Sequence, residues 1–364
     1  MEYYKNNILR RKTRKIMVGD IGVGSSCPIT IQSMTNTLTS NTEATIEQIN
    51  QIKDAGADIV RVSCPDKDST ESLKKIIQKV SIPIVADIHF HHLRAIEAAE
   101  AGAACIRINP GNIGKEERIK DVIDAAKLNS CSMRIGVNAG SLEKDIIKKF
   151  YRATPEAMLE SALKHINILE KFKFYETKIS VKASNVALAV GAYRMLAKST
   201  DYPLHLGITE AGSFFSGTIK SSLGIGLLLN EGIGDTIRVS LSDDPVKEVK
   251  VGIEILKALG IRKSGVTIIS CPSCARQQFD VINTVREIER RFSHVNKALN
   301  VSILGCVVNG PGEAKESDIG LTGGGKNKHQ IYLNGKKSCV IDGENLVENI
   351  SKLIEKQLKL NEKN

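Results

Sequence analysis

The chain has 364 residues, 41% of them hydrophobic and 25% charged, and a net charge of +10. These values describe a globular protein and exclude a disordered or fibrous one. No apolar run reaches the ~20 residues of a membrane span, and the start Met1–Asn7 has no apolar signal core, so a cytoplasmic location and no membrane partner are expected.

Thr13–Cys27 reads as a short hairpin turning at Gly19 and Asp20, placed as a plug beneath the strands that begin at residue 29. From that residue, short β-branched runs alternate with longer amphipathic ones. Strand Ile29–Thr35 precedes helix Thr42–Ala55, and Ile59–Ser63 precedes Ser69–Val80. Pro83–Ile88 precedes His92–Ala101, and Cys105–Asn109 precedes Lys115–Leu128. Met133–Val137 precedes a helical region Leu142–Lys171 broken near Thr154-Pro155, and Lys178–Ala183 precedes Asn185–Lys198. Leu204–Thr209 precedes Gly217–Leu229, and Thr236–Leu241 precedes Pro245–Leu259. The strands are apolar through most of their length, as in a parallel sheet covered on both faces. Glycines at 56, 102 and 260 stop helices, and Pro155 and Pro245 start them. Eight consecutive strand–helix units point to an α/β protein with a (β/α)8 TIM-like barrel. An open doubly wound sheet is the alternative, but no G-x-G-x-x-G turn follows the first strand.

Ser264-Gly265 marks a boundary, giving domains 1–262 and 263–364. The second reads as a smaller α+β unit: strand Val266–Ser270, a cysteine loop, helix Gln277–Phe292, strand Leu299–Leu304 and a second cysteine loop. A glycine-rich segment Gly320–Gly325, strands Gln330–Leu333 and Ser338–Ile341, and helix Leu346–Leu358 complete it, with a frayed end at Leu360–Asn364.

Much of the positive charge is terminal: Lys5, Arg10, Arg11, Lys12, Arg14 and Lys15 at one end, and Lys352, Lys356, Lys359 and Lys363 at the other. No basic stripe is interleaved with aromatics, so these read as solvated charges and no nucleic-acid partner is expected.

Catalytic groups of this fold sit at the C-terminal ends of the strands. There the sequence places Arg61, Asp87, His89, Arg107, Asn109, Arg134, Asn138, Lys182, Ser184, Asn185, His205, Thr209, Glu210, Arg238 and Ser240. Four arginines and a lysine inside apolar strands are costly without partners, by several kcal/mol each. Asp87 and Glu210 are the only carboxylates expected at this mouth, too few to balance five cations. Guanidinium groups match phosphate oxygens in bidentate fashion, so a small diphosphate-bearing ligand is expected to supply the missing charge. Asp87 or Glu210 is a candidate for proton transfer, with a plain ion pair to an arginine as the alternative.

Cys271 and Cys274 stand at C-x-x-C spacing, and Cys306 follows the strand Val301–Leu304. Three thiolates from two loops suit an iron–sulfur cluster, normally held by four protein ligands. The expected fourth cysteine is missing nearby, so either another residue fills that place or one iron is open. A structural zinc site, a redox dithiol and plain buried cysteines remain the alternatives. Cys27, Cys64, Cys105, Cys131 and Cys339 read as small apolar residues.

The motifs Asp87-Ile-His89, Arg107-Ile-Asn-Pro-Gly-Asn112, Arg134-Ile-Gly-Val-Asn138, His205-Leu-Gly-Ile-Thr-Glu210-Ala-Gly212, Cys271-Pro-Ser-Cys274-Ala-Arg276 and Gly305-Cys306-Val-Val-Asn-Gly-Pro-Gly-Glu313 resemble the 4-hydroxy-3-methylbut-2-enyl diphosphate synthase family in its two-domain bacterial form. The likeness runs from about residue 10 to 350. It implies a [4Fe–4S] cluster held by Cys271, Cys274 and Cys306, with Glu313 as fourth ligand. It implies two-electron reductive opening of 2-C-methyl-D-erythritol 2,4-cyclodiphosphate, with electrons from flavodoxin or ferredoxin. Arg61, Arg107, Arg134 and Lys182 would then grip the diphosphate. Asn138, Ser184, Asn185, His205, Thr209, Arg238 and Ser240 would line the pocket, with Glu210 and Asp87 as the catalytic carboxylates. The resemblance also implies a head-to-tail homodimer. The competing reading is a zinc-stabilised phosphate- or RNA-binding protein without redox activity.

Overall fold

The computed structural model describes residues 8–89, 91–109, 113–114 and 116–360. The ends at 1–7 and 361–364, and with them the expected fraying of the last residues and the tail of the Arg107–Asn112 motif, lie outside the described residues. The chain divides into two compact units, Met1–Ile261 and Arg262–Asn364.

The first unit is the barrel. Its strands are β3 (Thr30–Met34), β4 (Ile59–Ser63), β5 (Ile84–Asp87), β6 (Cys105–Ile108), β7 (Ser132–Asn138), β8 (Thr177–Lys182), β9 (His205–Leu206) and β10 (Thr236–Ile237). They run parallel in the order β8-β7-β6-β5-β4-β3-β10-β9, and a parallel bridge between Ile179 and Leu204 closes the ring. The outward residues of the strands are buried under the helices, which is why the runs read as continuously apolar. Helix starts follow their expected chemistry: Asn41, Asp66, Thr154, Asn185 and Asp244 each accept a backbone N–H of the first turn. The helical region after β7 is in three pieces: a 3-10 turn Ala139–Ser141, helix Lys144–Phe150, and helix Pro155–Lys171. Tyr151, in the left-handed conformation at φ 64°, ends the middle piece.

The hairpin β1 (Ile16–Val18) and β2 (Ile21–Val23) pairs antiparallel, with Gly19 at φ +63° in the turn. Its buried face, Ile16, Val18 and Val23, packs on Ile59, Val85 and Cys105 near the strand starts, so it plugs the floor of the barrel as expected.

The N-terminal arginines correct the expectation of solvated charge. Arg10 donates to the carbonyls of Cys27 and Gly24 and to the Asp235 carboxylate at 2.9 Å. Arg11 donates to the carbonyls of Ala197, Thr200 and Tyr202. Arg14 stacks 3.9 Å from the Tyr202 ring centroid and bonds Asp201. The arginines form a strap because the helix Val186–Ser199 ends with carbonyls that need donors, and a guanidinium supplies several. Adjacent basic residues in sequence gave no sign of which would find such partners.

The second unit carries one sheet in the order β11 (Val266–Ser270), β12 (Leu299–Leu304), β13 (Ile319–Thr322), β14 (Lys328–Leu333) and β15 (Lys336–Asp342). The first three strands are parallel and the last two antiparallel. Helices Val281–Phe292 and Leu346–Leu360 bury Ile288, Phe292, Leu346, Ile350 and Ile354 against it. Three expectations shift here. The helix after the C-x-x-C loop starts at Val281, where Asp280 caps it by accepting from Asn283 N–H. Gly320 lies inside β13, because a Cβ there would stand 2.5 Å from Ala314 of a short helix, Gly310–Lys315, that the sequence did not announce. Only the end of the expected glycine-rich loop is a loop.

Candidate active site

Side chains alternate across a strand, so every second residue faces the barrel interior. Asp87 and His89, Arg107 and Asn109, Arg134 and Asn138, Ser180 and Lys182, and Arg238 and Ser240 are such pairs, and with Arg61, Thr209 and Ser141 they line one cavity of about 270 Å3 at the C-terminal mouth. Long cations need room inside a ring, and glycine provides it. A Cβ on Gly136 would stand 2.6 Å from Arg107 Nε, and one on Gly207 would stand 2.6 Å from the Arg238 carbonyl oxygen and 2.9 Å from Lys182 Nζ.

Charge is distributed unevenly. The Asp87 carboxylate lies 3.3 Å from Arg107, 3.7 Å from Arg61 and 3.7 Å from His89. Burial pushes this carboxyl up, but Arg61, Arg107, Arg134 and His89 together bring it down to about 2. Arg238 donates to Glu248 at 3.1 Å and to Ser240 at 2.7 Å. Glu248 also accepts from Ser33 Oγ at 2.9 Å and from Leu241 N–H at 3.0 Å. Arg134 is 1% exposed, and its Nε and Nη1 are without hydrogen-bond partners. Among the described residues no carboxylate comes within 4.0 Å of Arg134 or Lys182. Burial, then Arg134, Arg238, Arg61 and Arg107, hold the Lys182 ammonium well below its ordinary pKa. One layer deeper, Lys178 is fully buried, and its Nζ has no partner.

Of the residues expected at the mouth, Arg61, Asp87, His89, Arg107, Asn109, Arg134, Asn138, Lys182, Thr209, Arg238 and Ser240 line the cavity. Four others stand elsewhere. His205 is 0% exposed beneath it, with Nδ1 3.4 Å from Thr236 Oγ1, because the strand has not yet risen to the mouth at that residue. Ser184 and Asn185 are exposed and follow the end of β8, and Asn185 caps the helix Val186–Ser199. Glu210 is exposed on a left-handed turn at φ 51°, one residue beyond Thr209. That backbone conformation is unusual for a residue with a side chain and marks a constrained loop. The expectation that only Asp87 and Glu210 bring carboxylates here is corrected by Glu248, buried on the first turn of helix Pro245–Ala258. Ser180 carried a signal, two residues before Lys182 on the same face; Ser141 and Glu248 carried none.

The second unit brings Cys271, Cys274, Cys306 and Glu313 toward one end of its sheet. β11 and β12 are parallel neighbours, so the loops after Ser270 and Leu304 leave side by side. Gly305 N–H points at Cys271 Sγ at 3.2 Å. The Val308 N–H above all, then the Arg276 guanidinium and the Asn309 N–H, lower the Cys306 pKa against a smaller opposing effect of burial. Glu313 lies in the first turn of helix Gly310–Lys315, exposed. Among the described residues no three of these donors stand at metal-binding distance. Three thiols, a carboxylate and N–H groups aimed at sulfur are nonetheless the donor chemistry of an iron–sulfur site.

The family model called GcpE TIM-barrel domain matches residues 13–253, and the GcpE protein C-terminal domain model matches 267–356. The chain belongs to the GcpE family. The 4-hydroxy-3-methylbut-2-en-1-yl diphosphate synthase (flavodoxin) of Rhodospirillum rubrum is 59% identical over 356 residues, 96% of this chain and 93% of its own length. The protein of the same description in Zymomonas mobilis is 56% identical over 349 residues, again 96% of this chain and 93% of its own. Among solved structures, dihydropteroate synthase from Stenotrophomonas maltophilia aligns with a TM-score of 0.50 at 14% identity, over 68% of this chain and 98% of that one. That likeness shows the barrel alone, and in this GcpE chain the second unit lies beyond it.

Proposed function

We infer that this chain reduces 2-C-methyl-D-erythritol 2,4-cyclodiphosphate to 4-hydroxy-3-methylbut-2-enyl diphosphate, a step of the non-mevalonate isoprenoid pathway. Full-length identity of 56–59% to synthases described by that product and by flavodoxin carries the inference. The non-redox, zinc-stabilised alternative has no support from these relatives. No helix among the described residues is long and apolar enough to cross a membrane, and we place the enzyme in the cytoplasm.

The barrel residues bind and orient. Arg61, Arg107 and Arg134 present guanidinium groups into the cavity, and Lys182 a single ammonium. These match the two phosphoryl groups of the ring. Asn138, Thr209 and Ser240 offer neutral hydrogen-bonding groups for the carbon skeleton's hydroxyls. Asp87 fixes Arg61 and Arg107 in place by its ion pairs, an orienting role. Glu210 on its constrained turn is our candidate for the proton that converts the leaving hydroxyl to water, with Ser184 and Asn185 on the same rim. His205 supports the floor of the site.

We further propose that Cys271, Cys274, Cys306 and Glu313 hold a [4Fe–4S] cluster. When bound, that cluster supplies the two electrons singly, as received from flavodoxin or ferredoxin. The N–H groups at Cys271 and Cys306 would stabilise thiolates there. We also propose a head-to-tail homodimer. Helix Phe214–Asn230 leaves Phe215, Ile219, Leu223 and Leu227 exposed by 45–77% along one stripe, a surface suited to a second copy.

The test is anaerobic purification, iron and sulfide analysis, and assay of cyclodiphosphate consumption with reduced flavodoxin. About four irons per chain and formation of the allylic diphosphate are expected. Zinc in place of iron, with no turnover after reconstitution, would overturn the reading. For the dimer, mixed chains carrying Cys306→Ser and Arg134→Ala should regain activity above either parent.

A further inference from the structure

Every arginine in the cavity keeps its charge, because a guanidinium does not lose its proton in proteins. The empty cavity then confronts Arg61, Arg107, Arg134 and Arg238 with only Asp87 and Glu248. Asp87 is engaged by Arg61 and Arg107, and Glu248 by Arg238. A fifth cation, Lys182, with no carboxylate partner among the described residues, projects into the same 270 Å3. It is 6% exposed, and unlike the guanidiniums around it, it can shed its charge by releasing a proton.

We propose that Lys182 stands neutral in the empty site and takes up a proton when the dianionic cyclodiphosphate seats, so that substrate binding is coupled to protonation of this one residue. The proposal rests on the cyclodiphosphate being the substrate. Geometry carries it: a ligand within reach of Arg134 and Lys182 brings negative charge to within ion-pair distance of both, where no carboxylate among the described residues stands. Opposite charge at hydrogen-bond distance favours the ammonium form, whereas burial and four neighbouring guanidiniums oppose it in the empty site. Gly207 leaves the Nζ close to the backbone, where a Cβ would come within 2.9 Å of it. Ring opening then frees one further diphosphate oxygen, and a charged Lys182 is in place to meet that added negative charge.

The other groups around Lys182 that titrate are few. Below it on the same strand lies Lys178, buried, lowered by that burial and near Cys105 and Cys131. From β9 comes His205, which burial and then Lys182, Arg134 and Lys178 hold well below its ordinary pKa. Beyond β5, His89 stands 3.7 Å from Asp87 and is 44% exposed. The ligand itself does not titrate near neutrality, because each phosphoryl group of the cyclic diphosphate has a single, strongly acidic hydroxyl that is already ionised there.

Isothermal titration of the anaerobically purified, oxidised protein with the cyclodiphosphate tests this without turnover. Titrations run at one pH in Tris and in HEPES, whose ionisation enthalpies differ, so the difference in apparent heat counts protons. The expected result is uptake approaching about one proton per chain in the wild type, with Kd weakening about tenfold for each unit rise in pH between the pKa of Lys182 in the free protein and its pKa in the complex. Lys182→Arg, permanently charged, should bind with no uptake attributable to this site and a flattened pH dependence. Binding in the wild type without proton uptake overturns the proposal and leaves the assigned reaction standing. Uptake that persists undiminished in Lys182→Arg also overturns it, moving the proton to His205, Lys178 or His89. Failure of the cyclodiphosphate to bind, together with absence of turnover with reduced flavodoxin, overturns both the proposal and the function beneath it.

Discussion

Replacing Asp87 with Asn removes one negative charge from the centre of a cationic cavity and leaves the shape almost unchanged. Asp87 is 3% exposed, and its carboxylate serves Arg61, Arg107 and His89 at 3.3–3.7 Å. Removing one partner of a buried charge pair costs about 3–5 kcal/mol, since the surviving charge stays desolvated. For a domain of this size each kcal/mol moves the unfolding midpoint by about 2–4 °C, so Asp87→Asn is expected to unfold roughly 6–20 °C earlier. The direction reverses for ligand. With Asp87 gone, the surplus positive charge is larger, and saturating cyclodiphosphate has more to neutralise. The deficit should therefore shrink when the ligand is present, by the extra stabilisation that tighter binding gives. Thermal unfolding by circular dichroism, with and without the ligand, reads both effects. An unchanged midpoint would show that the carboxylate is not what holds the arginines. A deficit of equal size with and without ligand would show that the surplus charge does not face the substrate.

The same charges set three other expected outcomes. Because Asp87 is held at about 2 against an ordinary 3.8, its contribution is present above pH 4 or so and disappears as the pH falls toward about 2. Glu143, raised by burial but brought to about 2 by bonds from His165 and Ser161, acts in the same window. Urea midpoints measured from neutral pH to pH 2 should fall over that interval, and less steeply in Asp87→Asn. Arg134→Met removes a guanidinium whose Nε and Nη1 are unsatisfied, so the ligand-free protein should gain about 1–3 kcal/mol while losing roughly 10- to 100-fold in affinity for the cyclodiphosphate; destabilisation would show that Arg134 has a hidden partner. Arg11→Ala strips three carbonyls near the end of helix Val186–Ser199 of their donor and should cost about 1–3 kcal/mol in chemical unfolding without altering affinity.

The barrel was legible because its signal is repeated. Each strand is covered on both faces and most helices carry a cap or a terminal glycine, so the alternation was easy to read as eight units. The inward positions could be counted from the period of two, which is why Asp87 and Arg107, and likewise Arg134 and Lys182, fell where the cavity is. The errors arose where a strand ended. Past Lys182 the chain turns into a helix cap, so Ser184 and Asn185 no longer obey the strand period. His205 obeys it but sits a layer too low, and sequence spacing says nothing of height in a sheared ring. Glu248 escaped notice because it reaches the interior from a helix, at a position that helical spacing alone does not distinguish from a surface turn.

The same contrast separates the arginines of the N-terminus from those of the barrel. Arg10, Arg11 and Arg14 stand in a basic run that looks like surface decoration, yet backbone carbonyls and carboxylates take their terminal N–H groups, leaving only Nε of Arg10 and of Arg11 without a partner. Arg134 sits in an apolar run that looks like core, yet it has unsatisfied donors. Burial is therefore a poor guide to purpose, and the inventory of partners is the better one. A cation whose donors are filled by carbonyls holds the fold together. A buried cation with empty donors costs stability, and a protein that tolerates that cost gains only when an anion arrives. Gly136 and Gly207 fit this account. Neither is needed for a turn; an alanine at Gly136 would crowd Arg107, and one at Gly207 would crowd Lys182 and the Arg238 carbonyl. Room made for unpaired charge, next to strand ends where ligands of this fold enter, marks the cavity as built around its substrate and not around itself.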